Sequence, residues 1–176
     1  MQRKIILLCG YAQVGKDTLA TLLAPEFRRV AFADELKRDL KPLLRRAGKD
    51  PNDPKTKEFV RPLLVEYGKT MRLFDRSYWV KRLVASTRVK MMSPERPWAV
   101  SDCRYVSECQ WGVDENQALL VYIKRPGIGP ACAEERDSIA DVLHLYSPSE
   151  IHNSREPAYM LEQIRPLIQL HFLNRE

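Results

Sequence analysis

The chain has 176 residues, a length typical of one domain that buries its own hydrophobic core. Apolar residues make up 44% and charged residues 30% of it, which argues against disorder, and no apolar run approaches the roughly 20 residues that span a bilayer. With 29 Lys and Arg against 23 Asp and Glu, the formal net charge is +6, so we expect acidic partners: nucleotides, nucleic acid or an anionic membrane.

The chain begins with an apolar run that superficially resembles a short signal peptide. The run is too short, and the glycine-rich residues 10–16 stand where a cleavage site would be. We therefore predict a buried first strand over residues 4–8. The four cysteines form no CxxC pair and no ligand cluster with the three histidines, so we expect free thiols and a cytoplasmic protein.

Short apolar runs alternate with helical patterns in the first half of the chain. Residues 16–27 predict a helix with leucines on one face, and residues 29–33 predict a second short strand. Asp34 is a candidate cap of the next helix, which Pro42 is expected to kink or shorten.

The middle of the chain predicts two more helices and two more strands. Apolar spacing over residues 60–71 indicates one helix, and Asp75 or Ser77 is expected to cap the next. Residues 98–101 and 119–123 are short apolar runs typical of buried strands.

Two prolines and two glycines at residues 126–130 break the chain and open a polar stretch, expected to be flexible, that ends near residue 141. Residues 142–146 predict the last strand, and apolar spacing over 161–172 predicts a closing helix. Strands separated by helices imply parallel crossovers. We therefore predict an α/β fold with a doubly wound, mostly parallel sheet and helices on both faces, in which ligands bind at the carboxyl ends of the strands.

Residues 10–16 fit the pattern G-x-x-x-x-G-K between the first strand and the first helix. The glycines let backbone N–H groups point at phosphate oxygens, the helix N-terminus favours the same anion, and Lys16 adds a cation for the outer phosphates. We therefore predict a phosphate loop. Its candidate ATP-binding residues are Gly10, Ala12, Gln13, Val14, Gly15, Lys16, Asp17 and Thr18.

Three polar residues are candidate Mg²⁺ ligands. Asp17 stands where a Ser or Thr usually follows the lysine, and Thr18 comes next; the alternative for Asp17 is an acid that favours the helix dipole. Asp102 ends a predicted buried strand, and it either binds Mg²⁺ or orients Arg104. Arg104 is a candidate clamp on an acceptor phosphate, or else a partner of Glu108 one helical turn later.

A series of motifs, in order, resembles the bacteriophage deoxynucleoside monophosphate kinase family. They are Gly-Lys-Asp-Thr at 15–18, Phe-Ala-Asp-Glu-Leu-Lys at 32–37, Arg61-Pro62-Leu63-Leu64 with Tyr67-Gly68 and Arg72, Asp-Arg-Ser-Tyr-Trp-Val at 75–80, Asp-Cys-Arg-Tyr-Val-Ser-Glu at 102–108, and Arg-Pro-Gly at 125–127. The resemblance runs from residue 3 to about residue 165. It implies a P-loop kinase that uses ATP and Mg²⁺ to convert a deoxynucleoside monophosphate into the diphosphate.

The resemblance also implies an organisation. Residues 1–176 would form a single kinase domain with an acceptor-binding helical region at about 34–90 and a short lid at about 126–141. It implies acceptor contacts for Arg61 and Arg72, which would otherwise be surface residues. Asp34 and Lys37 follow the second strand and are further acceptor-binding candidates, although Lys37 also fits a solvated helix face.

Two arginines are candidates to close on the donor phosphates from the lid. Arg125 ends a predicted strand and Arg136 lies in the polar stretch; the alternatives are a turn residue and a solvated loop charge. With Lys16 and Arg104 they form the predicted catalytic set, because phosphoryl transfer gathers negative charge that cations stabilise. Trp79, with apolar residues at helical spacing, is expected to pack in the core rather than to stack on a base.

Two other functions stay open. One is a kinase of the same fold acting on another phosphorylated small molecule, such as phosphomevalonate, and the other is a nucleotide- or nucleic-acid-binding P-loop protein without phosphoryl transfer. Basic residues interleave with acidic ones, so we expect no stable binding to nucleic acid and none to membranes. The expected partners are ATP and a deoxynucleoside monophosphate. The chain would act as a monomer or homodimer, in the host cytoplasm if phage-encoded.

Overall fold

The computed structural model describes residues 3–50, 53, 57–89 and 96–173, which form five β-strands and seven α-helices. In chain order the elements are β1 (Ile5–Cys9), α1 (Lys16–Leu22), β2 (Arg28–Val30), α2 (Phe32–Arg46), α3 (Lys57–Phe74), α4 (Tyr78–Val89), β3 (Trp98–Cys103), α5 (Val106–Cys109), β4 (Leu119–Lys124), α6 (Ala133–Leu145), β5 (Ser149–His152) and α7 (Ala158–Leu173), with a π-helical segment (Gln110–Glu115) directly after α5. Contacts among the described residues divide the chain into two compact units, Met1–Val30 with Ser93–Glu176, and Ala31–Met92.

The first unit is built on one sheet with the strand order β2-β3-β1-β4-β5. Each pair of neighbouring strands in the described chain runs parallel. β1 lies at the centre and is buried at every position, which explains its unbroken apolar sequence. In register, Leu7 lies beside Val100 of β3 and Leu120 of β4. The predicted doubly wound α/β fold with a parallel sheet is confirmed.

Helices cover both faces of this sheet. On one face Ile6 of β1 joins a core that includes Leu19 of α1 and Ile164 of α7. On the opposite face Leu7 lies against the π-helical segment, where a Cβ on Gly112 would be 2.4 Å from the Leu7 Cδ1 atom. The close approach of this segment to β1 therefore depends on glycine.

The second unit consists of α2, α3 and α4. Leu40 of α2 and Val60 of α3 belong to its core. Trp79 of α4 is buried and donates from Nε1 to the carbonyl oxygen of Gly68 on α3, at 3.1 Å. The prediction that Trp79 packs in the core is confirmed. Pro42 lies inside α2, which continues past it to Arg46, so the proline does not end the helix.

The prediction for the second strand is partly wrong. The strand is β2, and α2 already begins at Phe32 after an extended Ala31. Asp34 is therefore a residue of the first helical turn, where it favours the helix dipole, and not the cap. The apolar run at residues 30–33 fits a buried strand and a buried helix start equally well, so the sequence pattern could not separate them.

The prediction for the last strand, over residues 142–146, is wrong. α6 runs through this segment, with buried side chains at Glu135, Ile139 and Val142, which is helical spacing. The stretch expected to be flexible is thus helical from Ala133 onward. The last strand is β5, an edge strand whose one buried residue, Ile151, gives little apolar signal.

The first helix is shorter than predicted. α1 ends at Leu22, whereas the sequence predicts a helix to residue 27. Pro25 lies three residues beyond the observed end, a position typical of helix termination. The closing helix over 161–172 is confirmed as α7. No helix in the described part of the chain is long and apolar enough to cross a membrane.

Candidate active site

The phosphate loop joins the central strand β1 to α1. Its two glycines have left-handed backbone angles, with φ of +139° at Gly10 and +104° at Gly15. A Cβ on Gly10 would lie 2.7 Å from the carbonyl oxygen of Ile123, and a Cβ on Gly15 would lie 2.6 Å from Nδ2 of Asn153. Both positions therefore require glycine, for the backbone angle and for space.

Lys16 is the first residue of α1 and its side chain is buried against the loop. The Nζ atom donates to the carbonyl oxygens of Gly10 and Tyr11, each at 2.6 Å. The ammonium group thus lies inside the curl of the loop, on the side from which a phosphate-binding lysine acts.

The electrostatic surroundings of Lys16 come from distant parts of the first unit. Burial lowers the pKa of Lys16 to about 8, and the guanidinium of Arg104 acts in the same direction. The carboxylates of Asp102 and Glu135 oppose this effect in part. Lys16, Asp102 and Arg104, three of the predicted site residues, are therefore brought together at the carboxyl ends of β1 and β3.

Arg104 follows β3 and points its guanidinium at α6. Its Nη1 lies 3.3 Å from Oε1 of Glu135. Glu108 instead accepts the backbone N–H groups of Arg104 and Tyr105, at 2.7 and 3.1 Å. Glu108 thus fixes the turn after β3. The predicted alternative for Arg104, a pair with Glu108, exists through the Arg104 backbone N–H. The Arg104 guanidinium pairs with Glu135 instead.

Glu135 contacts the phosphate loop, and the sequence does not reveal this contact. Its Oε1 accepts the Ala12 N–H of the phosphate loop at 2.9 Å, and its Oε2 accepts the Ala131 N–H at 2.8 Å. The side chain is 3% exposed. Ala12 and Glu135 are 123 positions apart, so no local pattern links them. The only available signal is that Glu135 falls on the buried side of α6 with Ile139.

Asp17 is held by two residues from neighbouring strands. Its Oδ1 accepts Nε and Nη2 of Arg29, both at 3.0 Å, and the hydroxyl of Ser101 at 2.9 Å. Burial raises the pKa of Asp17, but the hydrogen bonds from Ser101 and Arg29 outweigh burial and hold it below its ordinary value. Asp17 is therefore ionised at neutral pH, and it links α1 to β2 and β3.

A cavity of about 590 Å³ opens beside the phosphate loop, a size typical of sites for small ligands. Arg125, directly after β4, donates from Nη1 to the carbonyl oxygen of Gln13 at 3.2 Å. Asn153, directly after β5, donates from Nδ2 to the carbonyl oxygen of Val14 at 2.9 Å. The residues lining the cavity are Gln13, Gly15, Lys16, Asp17, Thr18, Arg125, Asn153, Arg155, Pro157 and Met160.

The two candidate lid arginines have different surroundings. Arg125 contacts the phosphate loop, as described above. Arg136, on the first turns of α6, is exposed and donates from Nε to Oδ1 of its neighbour Asp137 at 2.8 Å. This hydrogen bond raises the pKa of Arg136. The structure thus gives Arg125 a contact at the loop, and Arg136 a contact within its own helix.

Four of the five acceptor-binding candidates belong to the second unit, and Arg104 belongs to the first. Asp34 and Lys37 lie half-buried on α2, Arg61 is exposed on α3, and Arg72 is half-buried near the end of α3. In the same unit, Glu35 is buried and accepts the Ser86 hydroxyl at 2.7 Å. The resemblance does not single out Glu35, which ties α2 to α4.

The cysteines fit the expectation of free thiols. Cys9, Cys103 and Cys109 are buried, with 3.5 Å between the Sγ atoms of the last two, and Cys132 is exposed. Burial raises the pKa of Cys9 to about 12, so this thiol stays protonated beneath the phosphate loop. Among the described residues, no three His, Cys, Asp or Glu side chains form a group that could hold a metal ion.

Comparisons with known proteins define the class of fold. No protein-family model matches the sequence, and no curated protein matches it. Among solved structures, the chain is similar to the dephospho-CoA kinase from Campylobacter jejuni, with a TM-score of 0.53 and 12% identity over 97% of this chain and 98% of that one. The chain therefore shares the fold of this dephospho-CoA kinase, with its phosphate loop at the end of β1.

Proposed function

We propose that the protein is an ATP- and Mg²⁺-dependent kinase that transfers a phosphoryl group to a deoxynucleoside 5′-monophosphate, giving the diphosphate and ADP. The observation that carries the proposal is the phosphate loop with the Lys16 ammonium inside its curl and the Arg104 guanidinium joined to the loop through the Glu135 carboxylate. Two cations and a carboxylate around a curl of backbone N–H groups suit the charge of a transferring phosphoryl group. The motif series shared with the bacteriophage kinases supports the choice of acceptor.

The donor phosphates would bind in the loop and the cavity beside it. The backbone from Gly10 to Thr18, apart from the Ala12 N–H that Glu135 accepts, supplies N–H groups, and the N-terminus of α1 adds its dipole. Lys16 would exchange its contacts with the loop carbonyls for phosphate oxygens. Because a phosphate anion is a stronger partner than a carbonyl, this exchange is favourable.

The oxygen atoms at this edge of the sheet fit Mg²⁺. Asp102 is close enough to Lys16 to influence its pKa, and Thr18 lines the cavity. Carboxylate and hydroxyl oxygens are the hard ligands that Mg²⁺ prefers, and it commonly takes one or two from protein and others from phosphates. Asp17 is a further candidate, with Oδ1 held by Arg29 and Ser101. When bound, the ion would neutralise charge on the donor phosphates.

The candidate acceptor contacts are Arg104 of the first unit and Asp34, Lys37, Arg61 and Arg72 of the second unit. An acceptor phosphate oxygen is already an anionic nucleophile, so it attacks the γ-phosphoryl group without a general base. What the reaction needs from the protein is in-line placement and charge neutralisation, which arginine forks supply.

Residues 126–141 would act as the lid. Arg125 precedes this segment and contacts the phosphate loop, so it is the stronger candidate for a donor contact, with Arg136 the second. Closure over the nucleotides would exclude water and suppress ATP hydrolysis.

The test is a panel of acceptors in an ADP-release assay with ATP and Mg²⁺. It contains the four common deoxynucleoside monophosphates, the matching ribonucleotides, phosphomevalonate and dephospho-CoA, the last because the structural neighbour is named as its kinase. We expect at least one deoxynucleotide to stimulate ADP release strongly and Lys16→Ala to abolish it. Stimulation by another acceptor alone would replace the proposed substrate, and ATP binding without turnover would favour a non-catalytic role.

A further inference from the structure

The Glu135 carboxylate connects three separate segments of the first unit. It accepts the N–H of Ala12 in the phosphate loop and the N–H of Ala131 before α6, and it pairs with the guanidinium of Arg104 after β3. Each oxygen has a defined donor: Oε1 serves Ala12 and Arg104, and Oε2 serves Ala131. None of the motifs in the sequence includes this residue.

Burial makes the arrangement specific. The Glu135 side chain is 3% exposed, and a carboxylate at that depth is tolerated only when hydrogen bonds and a positive charge replace its hydration. Losing one donor would leave a buried charge that is poorly compensated. The phosphate loop, the residue before α6 and Arg104 after β3 therefore keep their positions relative to one another. The position of Arg104 is therefore tied to that of the phosphate loop.

Arg104 can serve this carboxylate and a phosphate at once. A guanidinium has five N–H donors in a planar fork, and the contact with Glu135 uses Nη1. The Arg104 side chain is 37% exposed, so part of it is open to solvent. The contact with Glu135 restricts the orientations that the guanidinium can take.

We propose that Glu135 is a positioning residue for phosphoryl transfer, which orients the Arg104 guanidinium against the phosphate loop and couples both to the start of α6. The proposal rests on the proposed function, in which Arg104 meets a phosphate. It predicts that Glu135 acts on the rate of transfer, through Arg104, more than on the binding of ATP.

The experiment compares Glu135→Gln with Glu150→Gln. Glu150 lies on the edge strand β5 and pairs with Lys124 at 2.7 Å at the surface, so the control removes an equal charge outside the site. We expect Glu135→Gln to lower kcat by about tenfold or more while the ATP Kd from calorimetry changes by less than about threefold. The control should keep kcat within about twofold. An unchanged kcat in Glu135→Gln would overturn the proposal. Tighter ATP binding with undiminished kcat would overturn it as well, because it would mean that the carboxylate only competes with phosphate.

Two further measurements test the coupling between Glu135 and Arg104. Arg104→Lys retains the charge and loses the fork, and the double variant with Glu135→Gln should be no slower than the slower single variant, since both act through one guanidinium. Independent effects that multiply would overturn the coupling. Amide hydrogen exchange of Ala12 tests the contact without turnover: Glu135→Gln should speed it at least about tenfold. A wild type with no turnover would contradict the proposed function, whereas unchanged Ala12 exchange would contradict the role of Glu135.

Discussion

Two nitrogens of the Arg29 guanidinium, Nε and Nη2, donate to the same carboxylate oxygen of Asp17, each at 3.0 Å. Ser101 donates to this oxygen as well. Asp17 occupies the position after the phosphate-loop lysine, so the structure gives it an anchoring role between α1 and the sheet. Whether it also contributes to Mg²⁺ binding is separable by mutation, because the two roles respond to different measurements.

We expect Asp17→Asn to lower the free energy of unfolding at neutral pH by about 0.5–1 kcal/mol, a small value because the pair is exposed. The folded pKa of Asp17 lies below its unfolded value, so its stabilisation is present above the unfolded pKa and is lost as pH falls through the folded pKa. Urea unfolding at about pH 7 and about pH 3 should therefore show the difference from wild type shrinking in acid.

The matched control is Arg28→Gln, which alters the neighbouring arginine on β2. Asp17→Asn and Arg29→Gln should be non-additive in stability, whereas Asp17→Asn and Arg28→Gln should add. Additivity of the first pair would contradict the anchoring role. A raised Mg²⁺ requirement of Asp17→Asn in the kinase assay would assign the carboxylate to the metal as well.

The pH dependence of ATP use should follow Lys16. Its pKa of about 8 means that the ammonium loses its proton, and its attraction for phosphate, as pH rises through that value. We expect kcat/KM for ATP to be level below this pH and to fall above it, measured from about pH 6.5 to 9.5, because this ratio reports the free enzyme. Lys16→Arg stays protonated throughout, so any activity it retains should lack the fall. A fall that persists in Lys16→Arg would trace the dependence to another group.

Gly15→Ala should destabilise the protein and abolish ATP binding. The substitution puts a Cβ at φ +104°, 2.6 Å from the Asn153 amide, so it adds a clash to backbone strain of about 1–2 kcal/mol. Gly48→Ala is the control, since Gly48 also has a positive φ, +67°, but nothing lies within 4 Å of the added Cβ. Thermal unfolding should show the larger loss for Gly15→Ala, and calorimetry should show ATP binding only for Gly48→Ala. Equal losses of thermal stability in the two variants would mean that the close approach of Gly15 to Asn153 does not affect stability.

The contrast between Gly15 and Glu135 shows which parts of the site the sequence could predict. The phosphate loop is encoded within residues 10–18, and its strand and helix flank it directly, so a local pattern sufficed. Glu135 and Asn153 reach the same loop from segments more than 100 positions away, and a single sequence holds no signal for such pairs. Their roles follow from tertiary packing alone.

The fold was predictable to a similar extent. The strand β1 is an unbroken apolar run, and β3 and β4 each begin with one, at residues 98–100 and 119–123, so the parallel sheet followed from them. α6 was missed in part because residues 142–146, Val-Leu-His-Leu-Tyr, form a short, mostly apolar run that fits a strand and a buried helix segment equally well. The edge strand β5 was missed because solvent replaces the apolar contacts that mark an inner strand.

Arg125 and Arg136 should differ as donor contacts. Arg125 already donates to the phosphate loop, so Arg125→Ala should raise the KM for ATP by about tenfold or more, through the loss of a charged hydrogen-bond donor. Arg136 pairs with Asp137 at the surface, so Arg136→Ala should change this KM by less than about threefold. Initial rates at saturating acceptor give both values. A larger effect at Arg136 would reverse the order and assign the donor contact to α6.

The acceptor site can be tested through Arg72, which lies half-buried on α3. Under the proposed function its fork holds the acceptor phosphate, so Arg72→Ala should raise the KM for the acceptor by about tenfold or more and leave the KM for ATP within about twofold. Lys69→Ala is the matched control on the same helix, because Lys69 forms an exposed pair with Glu66 at 3.2 Å, a type of pair that contributes little. Its two KM values should both stay near those of the wild type. If Arg72→Ala changes both KM values equally, or neither, then Arg72 does not hold the acceptor phosphate. The same comparison of KM values in alanine variants of Arg61, Lys37, Asp34 and Arg104 would then show which of the other candidates contacts the acceptor, because only a residue that holds the acceptor phosphate raises the acceptor KM alone.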